Sequence, residues 1–552
     1  MALIKMIPSG RAMLLAGALS LLCGFVYSQN LPDCSKYRLI HNNDGTDALG
    51  NLWFHKRPLT VADLNAYVDM TANSQVTTYM MCSGSDFFYY RSKYGRLFCD
   101  DLNGTLTCGK DTAAYRNFRE YYQNFLNLEK EGTDLIAASL NRAKKNDMEA
   151  FITYRMNDLH FNDTTTHCPI VYTDFWYQHP EFWLNDATPG WNASRALDFA
   201  HQEVRDRKLA VISEQLEKYD MIDGFDLDFM RFIVYFKLGE GRKNAPLMTQ
   251  LVKDIRAKVD SVSARRGKKI ILSARVPITV EDCLNKGLDV QEWIRLGLID
   301  FVSIGVHWLG DPSLPVAKFR KDLGKVSIPI YASIDDGGYR PRETFSHGMF
   351  RGIASHILAQ GADGIYLFNQ YYSEYNSTYN GQLHLEKGDQ VCRVMAPQLL
   401  QELGKLETLQ NRNKIYCLCD SSGQYGIKPI SPLPLEVTEN KTGKADIYIG
   451  DDPKKNIPQE VILFFRLNKS PEFEVLVNGT KISAEKPEYV SLYDRARGLD
   501  RQEREYAFVV PAACMKQGYN TVTFKAKGIT TFKVKRLEIA LKYGDPKTHG
   551  YF

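Results

Sequence analysis

Two acidic residues in the middle of the chain have the type and spacing of an acid–base pair. Asp226 and Asp228 belong to the segment DGFDLDFMR, residues 223 to 231. In an extended strand every second side chain lies on the same face. Two carboxyl groups on one face perturb each other's ionisation, so one stays charged while the pKa of the other rises. This pattern suits catalysis, although a salt-bridge cluster with nearby arginines would use the same residue types.

The elements that must hold this pair repeat along the chain. From about residue 37 to 405, a short β-like run is followed by a polar loop and an amphipathic helix, eight times in order. The eight runs are Arg38–Asn42, Gln75–Cys82, Glu149–Asn157, Ile222–Phe229, Lys269–Val276, Ile299–His307, Ser327–Asp335 and Asp363–Asn369. This order predicts an α/β fold, a (β/α)8 TIM barrel. An open doubly wound sheet is the main alternative, but no Gly-x-Gly-x-x-Gly follows the first strand.

Polar residues alternate with apolar ones in four consecutive strands. Arg155, Asp228, Arg275 and His307 all belong to the polar face and lie near the C-terminal ends of strands three to six. The apolar face must pack against the helices, so the polar face is expected inside the barrel. Barrel enzymes place their chemistry at the C-terminal ends of the strands. The alternation therefore predicts a functional site at this mouth.

The barrel segments also carry a family resemblance. The chain resembles the family ten-like glycosyl hydrolase group, glycoside-hydrolase-like barrels of exported bacterial proteins. The likeness rests on TYRMNDLH (Thr153–His160), LDFAHQEVRDRKLAVISEQLEKYD (Leu197–Asp220) and YDMIDGFDLDFMRF (Tyr219–Phe232). This resemblance covers the barrel and implies a glycosidase without indicating its substrate. We expect the substrate to be a complex glycan or polysaccharide.

The strand-four segment is also similar to the chitinase signature of glycoside hydrolase family eighteen, Asp-Gly-x-Asp-x-Asp-x-Glu. Met230 stands where that signature ends in Glu, the proton donor of the family. The departure implies that any acid must come from elsewhere. Glycoside hydrolysis generally needs two carboxyl groups flanking the bond. We expect Asp228 as nucleophile or base beside Asp226, with Asp335 as its partner and Glu281 as the alternative acid.

Other residues near the strand ends are expected to bind the substrate. They are Asn42, Asp44, Arg155, Asn157, Asp158, His160, Arg231, Arg275, His307, Trp308, Asn369 and Tyr371. The arginines allow two interpretations, forked hydrogen bonds to an anionic sugar or depression of the pKa of neighbouring aspartates, and we slightly favour the second.

A metal site remains an alternative for part of this set. Asp226, Asp228, His307 and Asp335 could converge on a divalent ion, but no His-x-His or His-Glu-x-x-His spacing occurs. We therefore predict neither a metal nor a cofactor.

Two long insertions follow strands two and three and are expected to border the mouth. They span Ser83–Thr112 and Asp158–Ser194. The second contains a group of aromatic residues, Trp176, Tyr177, His179, Phe182, Trp183 and Trp191. These rings would serve either as sugar-stacking platforms or as a small core for the loop.

The N-terminus has the pattern of an export signal. Lys5 and Arg11 precede an apolar run, Ala12–Val26, and Ser28 ends a cleavage pattern, so processing before Gln29 is predicted. Lipid attachment at Cys23 is disfavoured by the bulky residue before it. We therefore expect an exported protein, periplasmic or secreted, without an integral membrane span.

The rest of the chain predicts a second domain. The helical pattern stops near residue 431, and the alternating runs that follow predict a β-sandwich; Tyr506–Leu541 resembles jelly-roll accessory modules of carbohydrate enzymes. The predicted domains are a signal peptide (1–28), a catalytic barrel (29–410), a linker (411–430) and a β-sandwich (431–552). Ten cysteines follow the signal; we expect mostly buried thiols, with Cys99 and Cys108 able to close a short loop.

Composition excludes some classes of partner. The 552 residues carry a net charge of +4 and are 44% hydrophobic and 24% charged, which gives no electrostatic footprint for nucleic acid. The expected partner is a glycan or oligosaccharide, anionic under the first interpretation of the arginines. The rival hypotheses are a barrel that binds carbohydrate without cleaving it and, less favoured, a polysaccharide lyase.

Overall fold

The architecture is taken from a computed structural model of the chain. It describes residues 37–49, 57–100, 112–160, 162, 173–190, 192–306, 312–334, 346–369, 397–419, 425–428, 430–487, 489 and 502–544.

Eight parallel strands close into a barrel in the order β1 to β8, which confirms the predicted (β/α)8 fold. The strands are β1 (Arg38–Asn43), β2 (Val76–Cys82), β3 (Glu149–Arg155), β4 (Gly224–Asp228), β5 (Ile271–Pro277), β6 (Phe301–Gly305), β7 (Ile330–Ile334) and β8 (Gly364–Phe368). Each strand overlaps one of the predicted segments, and the differences are confined to a few residues at the ends.

Helices pack around this barrel and along its connections. They are α1 (Thr46–Leu49), α2 (Val61–Asp69), α3 (Thr112–Lys130), α4 (Leu135–Lys145), α5 (Asp174–Gln178), α6 (Gln202–Lys218), α7 (Gly241–Arg266), α8 (Val280–Asn285), α9 (Val290–Arg295), α10 (Val316–Asp322), α11 (His347–Ala359) and α12 (Leu406–Leu409). Several begin at a residue whose side chain accepts a backbone N–H of the first turn, among them Thr60, Asp134 and Ser346. None of the described helices is long and apolar enough to cross a membrane.

The barrel interior is filled by side chains rather than open. One buried cluster consists of inward residues from seven of the strands, Ile40, Met80, Phe151, Ile271, Phe301, Tyr331, Tyr366 and Phe368. Gly224 of β4 is needed here because a Cβ would lie 2.2 Å from the Phe151 ring. At the N-terminal end, Arg38 forms an ion pair of 2.7 Å with Glu149. The lower barrel is therefore closed, and polar chemistry is left to the upper end.

The C-terminal part forms two antiparallel sheets, as the fold prediction required. One sheet runs β10-β18-β12-β16-β15 with β9 paired to β18, and the other runs β11-β17-β13-β14. Their strands are β9 (Lys414–Cys419), β10 (Leu435–Thr438), β11 (Gly443–Ile449), β12 (Glu460–Leu467), β13 (Phe473–Val477), β14 (Thr480–Ile482), β15 (Ala484–Glu485), β16 (Arg504–Val509), β17 (Gly518–Ala526) and β18 (Thr531–Lys542). β9 falls inside the predicted linker, and the domain limits otherwise stay a prediction.

β9 also joins the sheets to the barrel. It lies against α11, where Gly352 allows close approach because a Cβ there would be 2.0 Å from the carbonyl oxygen of Ile415. The Tyr416 hydroxyl lies 2.8 Å from the Ser355 hydroxyl and donates to Asp451 at 2.7 Å. The predicted linker segment is thus part of a buried contact between the two regions.

The described cysteines include buried thiols. Cys82, Cys99 and Cys283 are buried and not in disulfides. Cys108, the candidate partner of Cys99, lies outside the described residues.

Candidate functional site at the barrel mouth

The side chain of Asp226 on β4 points into the barrel and is surrounded by hydroxyl groups. It accepts hydrogen bonds from Ser273 of β5 at 2.6 Å and from Thr153 of β3 at 3.1 Å, and the Tyr366 hydroxyl is 3.5 Å away. Its side chain has no exposed surface. These contacts confirm that the polar face of β3, β4 and β5 points inward.

The ionisation of Asp226 is strongly perturbed by this position. Burial raises the pKa of Asp226 to about 6, helped by the negative charge of Asp228 and opposed by the hydrogen bonds from Ser273 and Thr153. The Asp226 carboxyl group therefore changes its charge near neutral pH.

Asp228 lies one inward position closer to the mouth and is held by two donors. The backbone N–H of Met230 donates to its Oδ1 at 2.8 Å, and Nη1 of Arg275 is 3.3 Å from the same oxygen. Arg275 also lies 3.4 Å from the Ser333 hydroxyl. Asp228 and Arg275 are each 1% exposed, so this ion pair is buried. A hydrogen bond between a carboxylate and a guanidinium is charge-assisted, so this contact fixes the orientation of both side chains.

A second set of charges extends from the end of β3. Nη1 of Arg155 donates to Asp158 at 3.0 Å, and Asp158 lies 2.6 Å from Nδ1 of His160. Nη2 of Arg231 is 3.1 Å from Nε2 of His160. A guanidinium only donates, so Nε2 must accept and Nδ1 must carry the proton that is donated to Asp158.

This arrangement sets the charges of Asp158 and His160. Burial alone would raise the pKa of Asp158, but His160, Arg155 and Arg231 together hold it well below its usual range. Burial lowers the pKa of His160, and the attraction of Asp158 only partly offsets this. An anionic Asp158 beside a neutral imidazole follows.

Asp44 and Asn369 complete the described part of the mouth. Oδ1 of Asp44 accepts from the N–H and hydroxyl of Thr46 at 3.0 and 2.8 Å. Its Oδ2 accepts from the Asn369 amide at 3.2 Å and lies 3.6 Å from Nη2 of Arg155. Asn369 follows β8 with a φ of 49°, a left-handed conformation that Asn tolerates better than most residues.

Not every predicted site residue has such a position. Asn42 is buried on β1, beside Phe368 of β8 in the strand register. The amide of Asn157 donates to the carbonyl groups of Leu197 and Val234 at 3.2 and 2.7 Å, which gives it a role in holding two loops together.

The alternative acid Glu281 is on α8. Its side chain is 71% exposed and forms an ion pair with Arg242. Four predicted residues, Asp335, His307, Trp308 and Tyr371, lie outside the described residues.

The structure adds residues that the sequence analysis did not assign to the site. Thr153, Ser273 and Ser333 contact the charged groups, and their inward parity was the signal that could have identified them. Phe368 supports Arg275 from across the barrel, with 3.7 Å between the guanidinium carbon and the ring centre. An apolar residue at an inward position gives no such signal.

The aromatic insertion after β3 forms a small core in its described part. Trp176 is buried and stacks on Trp183 with ring centres 4.5 Å apart. The two indole N–H groups donate to backbone carbonyls of Arg195 and Trp176. Tyr177 is the exposed ring, at 56%, and Trp191 lies outside the described residues. The stacked tryptophans are therefore occupied by packing.

Across the described ranges, no group of three or more His, Cys, Asp or Glu side chains is arranged to hold a metal ion.

Comparison with solved structures finds distant similarity to several glycoside hydrolases. The endo-β-1,4-mannanase from Thermotoga petrophila is 11% identical, with a TM-score of 0.41 over 92% of this chain and 98% of that one. A maltogenic α-amylase from Thermotoga neapolitana is 10% identical, with a TM-score of 0.35 over 90% and 99%. The spore cortex-lytic enzyme SleL of Bacillus cereus is 10% identical, with a TM-score of 0.28 over 54% of this chain.

The match spans only about half, 51%, of the SleL chain. At these identities and TM-scores the similarity assigns no property to this chain. The sequence matches no protein-family model and no curated protein.

Proposed function

We propose that the protein is a glycoside hydrolase that cleaves a glycosidic bond in a complex glycan at the C-terminal mouth of the barrel. Membership of the family ten-like glycosyl hydrolase group is part of this proposal. The observation that supports the hydrolase proposal is the pair of carboxyl groups on β4, Asp226 and Asp228. Asp228 is a carboxylate held by Arg275, and Asp226 lies below it with a pKa of about 6.

The two carboxyl groups have different roles in this proposal. Asp228 is nearer the mouth and serves as nucleophile or base, since Arg275 and the N–H of Met230 orient it. Asp226 is buried beneath it and acts as a positioning residue. Its proton limits the negative charge in the barrel when Asp228 is ionised.

The general acid comes from another strand. Met230 is apolar and 1% exposed, so it contributes no proton. Asp335, which follows β7 in the sequence, is the proposed acid because Ser333, two residues earlier and of the same strand parity, contacts Arg275 on the inward face. Glu281 is a poorer candidate since its carboxylate is exposed and paired with Arg242.

A carbohydrate-binding barrel without turnover is the second candidate. The apolar Met230 at the position of a chitinase acid and the small exposure of Asp228 favour it. Such a protein would hold a glycan at the same mouth and release it unchanged.

A product screen separates the two candidates. The purified protein and its Asp228→Asn variant are incubated with neutral, uronic and sulfated glycans and analysed by mass spectrometry. Products that gain one water with the wild type only would establish hydrolysis. Glycan-induced rises in Tm of both proteins without products would favour the binding protein, and an unsaturated, ultraviolet-absorbing product would indicate a lyase.

Export belongs to the same proposal. A signal peptide ending at Ser28 would deliver the enzyme to the periplasm or the medium, where glycans are found. Mass spectrometry of the mature N-terminus tests this, and a chain beginning at Gln29 is the expected result.

A further inference from the structure

The charged groups at the mouth are nearly balanced against one another. Arg275 faces Asp228, Arg155 faces Asp158 and Asp44, and Arg231 contacts the neutral His160. Because the first two guanidinium groups already have carboxylates, a uronate or sulfate would have to compete with these for hydrogen bonds. A neutral ligand needs no such exchange.

Hydrogen-bonding capacity is nevertheless left over in one sector, formed by Asp44, Arg155 and Asn369. Nε and Nη2 of Arg155 and Oδ1 of Asn369 are buried without a hydrogen-bond partner among the described residues. Arg155 is 4% exposed, Asp44 is 6% exposed and Asn369 is 7% exposed, so water does not freely solvate them. Buried polar atoms without partners are costly and uncommon in folded proteins.

The atoms without hydrogen-bond partners include both donors and an acceptor, and they lie close together. Nη2 of Arg155 is 3.6 Å from Oδ2 of Asp44, which is too far for a direct hydrogen bond. The same Oδ2 is joined to the Asn369 amide, whose oxygen is the unused acceptor. A donor and two acceptors therefore surround one small region.

We propose that Asp44, Arg155 and Asn369 form a subsite for two adjacent hydroxyl groups of a neutral sugar ring. A hydroxyl both donates and accepts, so one group can accept from Arg155 while it donates to Asp44. The neighbouring hydroxyl donates to Oδ1 of Asn369. The proposal rests on the proposed function for its glycan ligand, but it requires no bond cleavage.

The test uses simple sugars as probes. Methyl glycosides of glucose, mannose and galactose, their 2-, 3- and 4-deoxy forms and methyl glucuronide are titrated into the wild-type chain and followed by NMR. We expect at least one neutral glycoside to bind, and removal of either hydroxyl of one adjacent pair to weaken binding about tenfold or more. The glucuronide should bind no better than the glucoside.

Two variants link that loss to the subsite. Asn369→Gly and Asp44→Asn should bind the parent glycoside as weakly as the wild type binds the deoxy form. Asn411→Gly is the matched control, because Asn411 is exposed and has a φ of 57°, and it should bind like the wild type. Thermal unfolding of all three shows whether each is folded.

Several results would overturn the subsite. They are equal binding of parent and deoxy sugars, undiminished binding by Asn369→Gly and Asp44→Asn, preference for the glucuronide, or no binding of any probe. The product screen is independent of these titrations. Hydrolysis without hydroxyl discrimination would reject only the subsite, and discrimination without hydrolysis would reject only the hydrolase.

Discussion

Arg275 of β5 lies face-on to Phe368 of β8, with 3.7 Å between the guanidinium carbon and the ring centre. Cation–π contact of this kind is strongest where water is excluded, and both residues are buried. The contact holds the guanidinium over the ring, and its Nη1 lies 3.3 Å from Asp228. The position of the central carboxylate thus depends on an aromatic ring across the barrel.

Removal of the Arg275 charge should destabilise the fold as well as the site. In Arg275→Met, Asp228 would be left as a buried charge without its cation. Loss of one partner of a buried ion pair typically costs about 3–5 kcal/mol. Urea unfolding followed by fluorescence measures this change in the free energy of unfolding.

The double variant Arg275→Met/Asp228→Leu distinguishes charge from packing. If the uncompensated carboxylate causes the loss, the second substitution should restore much of the stability. A double variant whose loss equals the sum of the two single losses would show that the pair is not coupled.

The barrel and the core of its site were predictable because both follow from alternation. Arg155, Asp226, Asp228 and Arg275 are polar at positions that a period of two places inside, and the structure brings them there. The roles of residues that contact loops were harder to predict from the sequence. Asn157 has the right type and strand, but its amide bonds to two loop carbonyls whose paths the spacing does not reveal.

Glu281 shows the same limit from the other side. It follows β5 closely in sequence, yet Thr279 caps α8 and Glu281 lies in the first helical turn. An acidic residue at a helix N-terminus is stabilised by the helix dipole and needs no catalytic explanation. Proximity in sequence to a strand end therefore does not ensure that a side chain reaches the mouth.

The raised pKa of Asp226 makes a prediction about stability and pH. Below pH about 4, Asp226 is protonated in both the native and the unfolded state, so its ionisation does not lower the free energy of unfolding. As pH rises towards 6, the unfolded chain ionises while the native group keeps its proton, so the free energy of unfolding should fall by roughly 2–3 kcal/mol. Asp226→Asn should remove this fall because an amide does not ionise. The Ser273 and Thr153 hydroxyls can hydrogen-bond to the amide in place of the carboxyl group. Urea titrations from pH 4 to 7 measure the difference.

Asp223 provides a control of opposite sign on the same strand segment. Burial would raise its pKa, but Lys144 and Lys268 outweigh this and lower it. Its stabilisation is present above its unfolded pKa and is lost as pH falls, so Asp223→Asn should cost most at neutral pH. A parallel pH profile for Asp223→Asn and Asp226→Asn would contradict the assignment of both groups.

The insertion after β2 is anchored to α6 by a buried ion pair. Lys208 has no exposed surface, and its Nζ lies 2.6 Å from Asp86. Burial lowers the pKa of Lys208, an effect that the charge of Asp86 opposes. Tyr90 and Ser92 of the same insertion donate to Glu214 of α6 at 2.8 and 2.5 Å. These bonds tie the insertion to α6 on the outside of the barrel.

Replacement of Lys208 by Met should therefore loosen this insertion. Asp86 would remain buried with Arg207 no closer than 3.7 Å, so the expected loss of stability is about 3 kcal/mol. Hydrogen–deuterium exchange should rise first in residues 83–100, before the barrel strands exchange faster. Adding Asp86→Leu should slow that exchange again, because the uncompensated charge is removed. Equal exchange in Lys208→Met and the wild type would mean that the insertion is held by its aromatic packing instead.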